Sequence, residues 1–190
     1  MTAPADAASP RSKARLAGIF YLITFVTGGL ALFGSGSLLG AAAGLVAGAS
    51  YIAVTLLLYG LFKPVSRGLS LLAAVVSLVG CGIGPLGMVV RLPGQANNIT
   101  LVIFGVYCLL IGYLILRSAF LPRAVGALMV FAGLGWLTFL SPSLANYLSR
   151  YSLATALLVE GLAMLWLLVT GVDVQRWKEQ ANTARTSIRT

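Results

Sequence analysis

The sequence contains no histidine and only four acidic residues in 190 positions. Without histidine the chain cannot ligate haem through an imidazole, and its two cysteines alone make a poor set of metal ligands. Charged residues make up 9% of the chain, against roughly a quarter in ordinary soluble domains. We therefore predict no metal site and no cofactor, and we exclude a soluble globular class.

Most of the chain is apolar: 59% of its residues are hydrophobic and the mean hydropathy is +0.97. A helix needs about 20 apolar residues, at about 1.5 Å each, to cross the hydrocarbon core of a bilayer. Six such stretches are present, at residues 14–33, 41–62, 69–90, 99–116, 124–140 and 152–172. The sequence thus predicts an all-α integral membrane protein with six transmembrane helices in one bundle.

Polar segments flank this bundle. Residues 1–13 have the composition of a disordered basic tail, and residues 173–190 that of a polar cytoplasmic tail. Of the 13 basic residues, eleven fall on one side of the predicted spans, and only Arg91 and Arg150 fall on the other. The positive-inside rule then predicts that both termini are cytoplasmic.

The net charge of +9 does not indicate nucleic-acid binding, because the basic residues occupy loops and tails and form no basic face. We expect membrane lipids as partners, with anionic headgroups at the cytoplasmic face. Arg117 and Arg123 flank one cytoplasmic turn and Trp177 lies in the tail, at positions typical of residues that anchor a protein to headgroups.

Small residues mark two spans as places of close helix packing. The second span opens with glycines at intervals of four, namely Gly40, Gly44 and Gly48, which share one helix face. In the third span, Pro85 lacks the amide hydrogen that a straight helix requires, so we expect a kink there. Gly80 and Gly84 precede it. This segment is either a hinge or a site of close packing.

One acidic residue, Glu160, lies near the middle of the final span. An ionised carboxylate in lipid costs at least a few kcal/mol, so the other helices must shield, hydrate or pair it, or leave it protonated. Ala156 and Ala163 share its helix face, which indicates that this face meets another helix. A structural hydrogen bond, a proton-carrying or cation-binding role, and an ion pair all fit this pattern.

Four further residues are candidates for the same ligand-binding or proton-carrying site. Arg91, at the outer end of the third span, is the basic residue best placed for an ion pair. Tyr51, Tyr107 and Trp136 lie in apolar runs, where a phenol or an indole needs a hydrogen-bond partner. With no histidine, no buried lysine and no second membrane carboxylate, the chain lacks a nucleophile paired with a base, so an enzyme is disfavoured.

Two long runs, GYLILRSAFLPRAVGALMVFAGLGWLTFLSPSLANYL and VEGLAMLWLLVTGVDVQRWKEQA, resemble a bacterial membrane family called domain of unknown function 4386. ARLAGIFYLI and KPVSRGLSLLAAVVSLVGCGI are also similar to it, so the resemblance extends from Ala14 to Ala181. It implies a six-helix multi-pass protein of the bacterial cytoplasmic (inner) membrane, and it implies no activity. The positions that match the family's motifs are Arg117, Pro122, Arg123, Glu160, Trp166 and Trp177.

These observations favour a small polytopic membrane protein that binds or carries a lipophilic or cationic small molecule, with Glu160 as the buried polar contact. One alternative is an accessory or structural subunit of a larger membrane complex. A second is a membrane enzyme acting on lipid or quinone, which requires another polar group within reach of Glu160. The sequence is compatible with a homo-oligomer as well as with a larger complex.

Overall fold

The structure, a computed structural model, describes residues 9–34, 36–90 and 95–186, with the backbone alone at 84–90, 95–98, 142 and 153. The described chain is helical throughout and contains no strand. It comprises a short 3-10 helix, Thr138–Leu140, and seven α-helices: α1 Pro10–Phe33, α2 Leu38–Phe62, α3 Arg67–Val90, α4 Gln95–Arg117, α5 Arg123–Leu137, α6 Pro142–Val169 and α7 Val174–Thr186.

Each predicted span coincides with one of the helices α1 to α6. Within the described residues, four stretches are long and apolar enough to cross a membrane: Pro10–Phe33, Leu38–Phe62, Ile99–Arg117 and Arg123–Leu140. Helix α6 adds a fifth if its two parts, Ser143–Ser152 and Ala154–Val169, which are bent by 41°, form one span. The corresponding apolar part of α3, Arg67–Ile83, is shorter. The chain is therefore a membrane-type helical protein with four to five candidate spans in this part of the chain.

Several helix boundaries differ from those predicted, and two of them have a visible local cause. The segment 141–151, predicted as a loop, is helical from Pro142, because Ser141 has an extended backbone and proline fits the first turn of a helix. Helix α1 begins at Pro10, four residues early, with the Ser9 hydroxyl accepting a hydrogen bond from the Ser12 amide as a cap. A capping hydroxyl in α1 and a first-turn proline in α6 thus extend the two helices into segments that hydropathy alone left outside the membrane.

The helices α1 to α6 form a ring in which each packs against its neighbours in sequence and α6 returns to α1. The interior contains large buried side chains such as Phe62 and Leu114. The outer surface is also apolar, with Leu45 72% and Leu158 64% exposed. Exposed leucines on both sides of the ring suit a protein whose surrounding solvent is hydrocarbon.

Helices α4 and α5 make a close contact, and four glycines make it possible. A Cβ atom at Gly133 would lie 2.9 Å from the Gly105 carbonyl oxygen, and one at Gly112 would lie 2.9 Å from the Gly126 carbonyl oxygen. Gly105 and Gly112 on α4 are seven residues apart, as are Gly126 and Gly133 on α5, so the two glycines of each helix share a face. Small residues let the two backbones touch without an intervening side chain.

The glycines that the sequence singled out behave differently. A Cβ at Gly48 would meet no atom within 4 Å, and one at Gly44 would make an ordinary contact, 3.8 Å from Ala31. A Cβ at Gly40 would meet the backbone of Gly34, in the turn that precedes α2. Gly80 does pack closely on α4, since a Cβ there would lie 3.1 Å from Ile103 Cγ2. Gly84 and Pro85 lie outside the residues whose side chains are described. A spacing of four identifies a shared face, but it does not say which face meets a neighbour.

The predicted polar tail contains a helix, α7, that is bound to one end of the ring. The Trp177 indole N–H donates to the Leu61 carbonyl oxygen at 2.8 Å, and the Gln180 side chain accepts from the Ala119 amide at 3.1 Å. Gln180 also donates to the Arg117 carbonyl oxygen at 3.3 Å. These bonds satisfy carbonyl groups at the ends of α2 and α4 that have no partner within their helices. Trp177 is therefore part of the fold and not only a headgroup anchor.

We predict that Gly133→Ala destabilises the protein, because the added methyl group meets the α4 backbone, which cannot move aside as a side chain can. Overpacking of this kind costs about 1–3 kcal/mol. The matched control is Gly161→Ala, since a Cβ at Gly161 would meet no atom within 4 Å. The measurement is the free energy of unfolding of each variant in detergent micelles. Equal stability of the two variants would contradict the proposed α4–α5 contact.

We also predict that Trp177→Phe loosens α7, because phenylalanine keeps most of the packing and loses the bond to Leu61. A lost hydrogen bond of this type costs about 0.5–1.5 kcal/mol. Hydrogen–deuterium exchange of the α7 amides should become faster, while exchange in α1 to α6 stays unchanged. In Trp166→Phe, the control, no described hydrogen bond of the indole is lost and α7 exchange should not change.

Candidate functional site

The Glu160 carboxyl lies inside the ring, where it accepts hydrogen bonds from three other helices. The Tyr21 hydroxyl of α1 donates to Oε2 at 2.5 Å, and the Trp136 indole N–H of α5 donates to Oε1 at 3.1 Å. The Cys108 thiol of α4 is 3.8 Å from Oε1, which is hydrogen-bond distance for sulfur. All of these donors are uncharged, so they stabilise the carboxyl without forming an ion pair.

Small residues bring α1 and α6 close enough for this contact. On α1, Ala14 and Ala17 are buried on the same face as Tyr21, and on α6 Ala156 and Ala163 are buried around Glu160. One turn away, Gly18 packs on α6 so closely that a Cβ there would lie 2.7 Å from a backbone nitrogen. The short distance between the helix axes lets a tyrosine reach the carboxyl directly.

Aromatic rings surround the carboxyl on the side of α1, α2 and α4. We call Tyr21, Phe25, Tyr51, Phe104 and Tyr107 the aromatic cluster. Its ring centroids lie 5.1 Å apart for Tyr51 and Phe104, 5.8 Å for Tyr21 and Tyr51, and 6.0 Å for Tyr51 and Tyr107, all edge to face. Such pairs orient the positive edge of one ring toward the negative face of the next. The cluster therefore has fixed ring orientations beside a single carboxyl.

The Tyr107 hydroxyl is the one buried side-chain polar atom without a hydrogen-bond partner among the described residues. Thr55 lies beside it. The Thr55 hydroxyl, however, already bonds to Ser77 at 2.6 Å and to the Tyr51 carbonyl oxygen at 3.0 Å. A buried hydroxyl that no described protein group satisfies is costly, so it is a natural contact for a molecule bound in the interior.

Two separate cavities lie between this interior and one end of the ring. The inner cavity lies beside Tyr21 and Tyr107, and about 20 Å³ of it is open to a water-sized sphere, enough for about one water molecule. The outer cavity, of about 240 Å³, lies at the turn between α4 and α5. Leu121 and Trp166 line both cavities, so these two side chains separate them.

No basic side chain lies against Glu160 in the described part of the chain. The ion pair found there joins Arg176 of α7 to Asp173, the residue before that helix, at 3.5 Å. Arg91, the predicted ion-pair partner, falls outside the described residues. Over the same residues, no three metal-ligating side chains come together. The site as described is a carboxyl with neutral donors and aromatic neighbours.

The structure brings together four of the five predicted site residues: Glu160, Trp136, Tyr51 and Tyr107. Sequence analysis missed Tyr21 and Cys108, the two other donors to the carboxyl. A signal for Tyr21 was present, because it follows the small residues Ala14 and Ala17 at helical spacing. No comparable signal marks Cys108, since a lone cysteine in an apolar helix is normally a small hydrophobic residue.

The predicted anchors lie on the surface at the end that carries α7. Arg117 donates to the Tyr113 hydroxyl at 2.9 Å, with its guanidinium 5.7 Å from the centre of that ring. Arg123 is exposed at the start of α5. On the same end, Arg15 of α1 donates to the Val169 carbonyl oxygen at 3.3 Å. This end of the ring is therefore strongly basic.

Residues 85–171 match the profile of a known family, described as domain of unknown function (DUF4386). This confirms the predicted resemblance over the matched range, which begins near the end of α3 and ends after α6. No curated protein and no solved structure matches the chain. The DUF4386 region contributes Cys108, Trp136 and Glu160 to the site, whereas Tyr21 and Tyr51 come from the helices that precede it.

We predict that Tyr21 and Glu160 are energetically coupled. In a double-mutant cycle of Tyr21→Phe and Glu160→Gln, the coupling free energy should be about 0.6 kcal/mol and at most about 1.7 kcal/mol, as for other hydrogen bonds between membrane helices. The measurement is unfolding in mixed micelles. A cycle of Tyr113→Phe with Glu160→Gln is the control, because Tyr113 bonds to Arg117 and should show no coupling. Coupling of zero in the first cycle would place Tyr21 outside the site.

Proposed function

We propose that this chain is a small polytopic membrane protein that binds or carries a lipophilic or cationic small molecule, with Glu160 as its buried polar contact. One observation carries the proposal: a carboxyl held by three neutral donors lies against the aromatic cluster, with no cation beside it in the described chain. When it is ionised, a carboxyl placed in this way attracts positive charge, since no basic side chain of the described interior neutralises it.

The surroundings of the carboxyl favour a cation that is also lipophilic. The faces of aromatic rings attract organic cations by about 0.5–2 kcal/mol each, most strongly where water is excluded. The Tyr107 hydroxyl offers a further polar contact next to the inner cavity. A lipophilic amine or phosphonium would combine these contacts, with its charge near Glu160 and its apolar groups among the rings.

The inner cavity is too small to admit such a molecule without movement of the side chains that line it. Leu121 and Trp166, which separate it from the outer cavity, are the residues whose displacement would open a route from the basic end of the ring. Trp166 is 38% exposed and therefore has room to move. We infer that binding is coupled to a local opening at these two side chains.

We also propose that α1 to α6 are six membrane spans, with both termini in the cytoplasm of a bacterial cell. Supporting this, contacts of α7 and Arg15 gather the ends of α2, α4 and α6 at the same end of the ring as the start of α1. Most basic residues are at this end, and Arg150 is on the amino-terminal part of α6. The positive-inside rule then makes the α7 end cytoplasmic.

A second candidate is an accessory or structural subunit of a larger membrane complex. The same hydrogen bonds favour it, because a carboxyl that bonds α6 to three other helices can serve only to hold those helices together. The small volume of the inner cavity also fits this role. The two candidates differ in whether Glu160 can be changed without loss of binding.

The decisive test is binding of tetraphenylphosphonium, a lipophilic monovalent cation, to the full chain in lipid nanodiscs. We expect Glu160→Gln to weaken binding at least about tenfold, equivalent to about 1.4 kcal/mol, because glutamine keeps the shape and removes the charge. Glu179→Gln is the matched control, since Glu179 is exposed on α7 and bonds only to groups on that helix. It should leave binding unchanged.

Each variant is first heated with circular dichroism as the readout, so that loss of binding is scored only in folded protein. Equal affinity of wild type and Glu160→Gln would rule out Glu160 as the contact. Absence of saturable binding by the wild type, together with co-purification of a larger complex, would instead support the structural candidate.

A further inference from the structure

The outer cavity has a chemical character that differs from the Glu160 site. Its volume is about 240 Å³, and it lies between the α4–α5 turn and the start of α7. The residues that give it its chemistry are Pro122, Trp166, Thr170, Asp173 and Arg176. One wall is thus polar and the other apolar, so the cavity suits a molecule that has both kinds of surface.

The polar wall holds one guanidinium, that of Arg176, and one carboxylate, that of Asp173, and two further arginines, Arg11 and Arg15, lie beside the Gly171 turn. Arg176 extends across the cavity mouth, with Nη1 3.4 Å from the Ala119 carbonyl oxygen and Nε 3.5 Å from Asp173. Arg15 lies close by and donates to the Val169 carbonyl oxygen at the end of α6. Asp173 is the one acidic residue in the lining, and one of its oxygens already accepts from two amides of α7. The local excess of positive charge favours an anion.

The turn that shapes this wall depends on one glycine. Gly171 has a φ of +70°, a conformation that residues with a Cβ rarely adopt, and it reverses the chain between α6 and α7. A Cβ there would lie 3.1 Å from Cγ of Arg11. The turn therefore sets Arg176 and Asp173 of the following segment opposite Pro122.

The apolar wall continues onto the outer surface of the ring. Trp166 lines the cavity and is 38% exposed, and the next outward-facing residue along α6, Val169, is 68% exposed. Tryptophan beside arginine at the end of a membrane helix is the arrangement found at the level of lipid headgroups. Hydrocarbon chains could follow this surface while a charged group stays in the cavity.

We propose that the outer cavity binds the headgroup of an anionic phospholipid, with the phosphate on Arg176 and the acyl chains along Trp166. Arginine matches this ligand because its fork of N–H donors can bond two phosphate oxygens at once. The Thr170 hydroxyl, at the same cavity, is a further donor for the headgroup. None of the polar side chains of this site contacts the Glu160 carboxyl, so the two proposals are tested by different variants, although Trp166 lines both cavities.

The test is native mass spectrometry of the full chain purified with phosphatidylglycerol. We expect wild type to retain one tightly bound phosphatidylglycerol and Arg176→Gln to bind it at least about tenfold more weakly, which is the lower end of the loss expected for one charged hydrogen bond. Arg185→Gln is the matched control on the same helix, because Arg185 is exposed and does not line the cavity. It should retain the lipid as wild type does.

Thr170→Trp provides a second variant that fills the cavity and leaves Arg176 in place. It should also lose the lipid, which separates occlusion of the site from any loosening of α7 that Arg176→Gln causes. Equal retention by wild type and both cavity variants would overturn the proposal. A loss in Arg185→Gln as large as in Arg176→Gln would overturn it as well, because binding would then follow overall charge.

Two competitors identify the source of the phosphate. Inorganic phosphate at equal concentration should not displace phosphatidylglycerol, because it lacks the chains that contact Trp166, and Trp166→Ala should weaken lipid binding. Displacement by inorganic phosphate would assign the site to a soluble phosphate and contradict the proposal. Tighter retention of the zwitterionic phosphatidylcholine than of phosphatidylglycerol would contradict the requirement for an anion.

Discussion

The cost of a carboxyl at membrane depth is the constraint on which the arrangement of this protein depends. Lipid offers no hydrogen bonds, so Glu160 must find its donors within the bundle. Tyr21, Cys108 and Trp136 supply them from three helices that are far apart in sequence. The first and last long helices must therefore meet, and this contact closes the ring. Small residues on both helices allow the approach.

The same requirement joins two regions of the chain that sequence comparison treats separately. The DUF4386 match covers residues 85–171 and contains the carboxyl, while the phenol that makes its shortest hydrogen bond lies on α1. The aromatic cluster likewise draws Tyr51 from α2 and Tyr107 from α4. The candidate site therefore combines both regions, and a site defined from the matched range alone would lack Tyr21, Phe25 and Tyr51.

The basic end of the ring is more ordered than a polar tail suggests. Helix α7 closes the ends of α2 and α4 through Trp177 and Gln180, and its first residues form one wall of the outer cavity. Leu121 and Trp166 line both cavities, so only these two side chains separate the outer cavity from the inner cavity beside Tyr107. This continuity would allow the proposed lipid binding at the surface and the proposed ligand binding at Glu160 to affect each other.

Composition and periodicity determined the class of this protein, the six helical segments and the buried position of Glu160, because these follow from local hydropathy and from the cost of charge in lipid. They also pointed to Trp136, Tyr51 and Tyr107, since polar aromatic groups in apolar helices need partners. Only the tertiary structure decided that Tyr21 and Cys108 donate to the carboxyl and that α4 and α5 touch at glycines. Those facts depend on helix rotation and on the order of helices around the ring, which arise from packing between distant segments and leave no periodic trace along the chain.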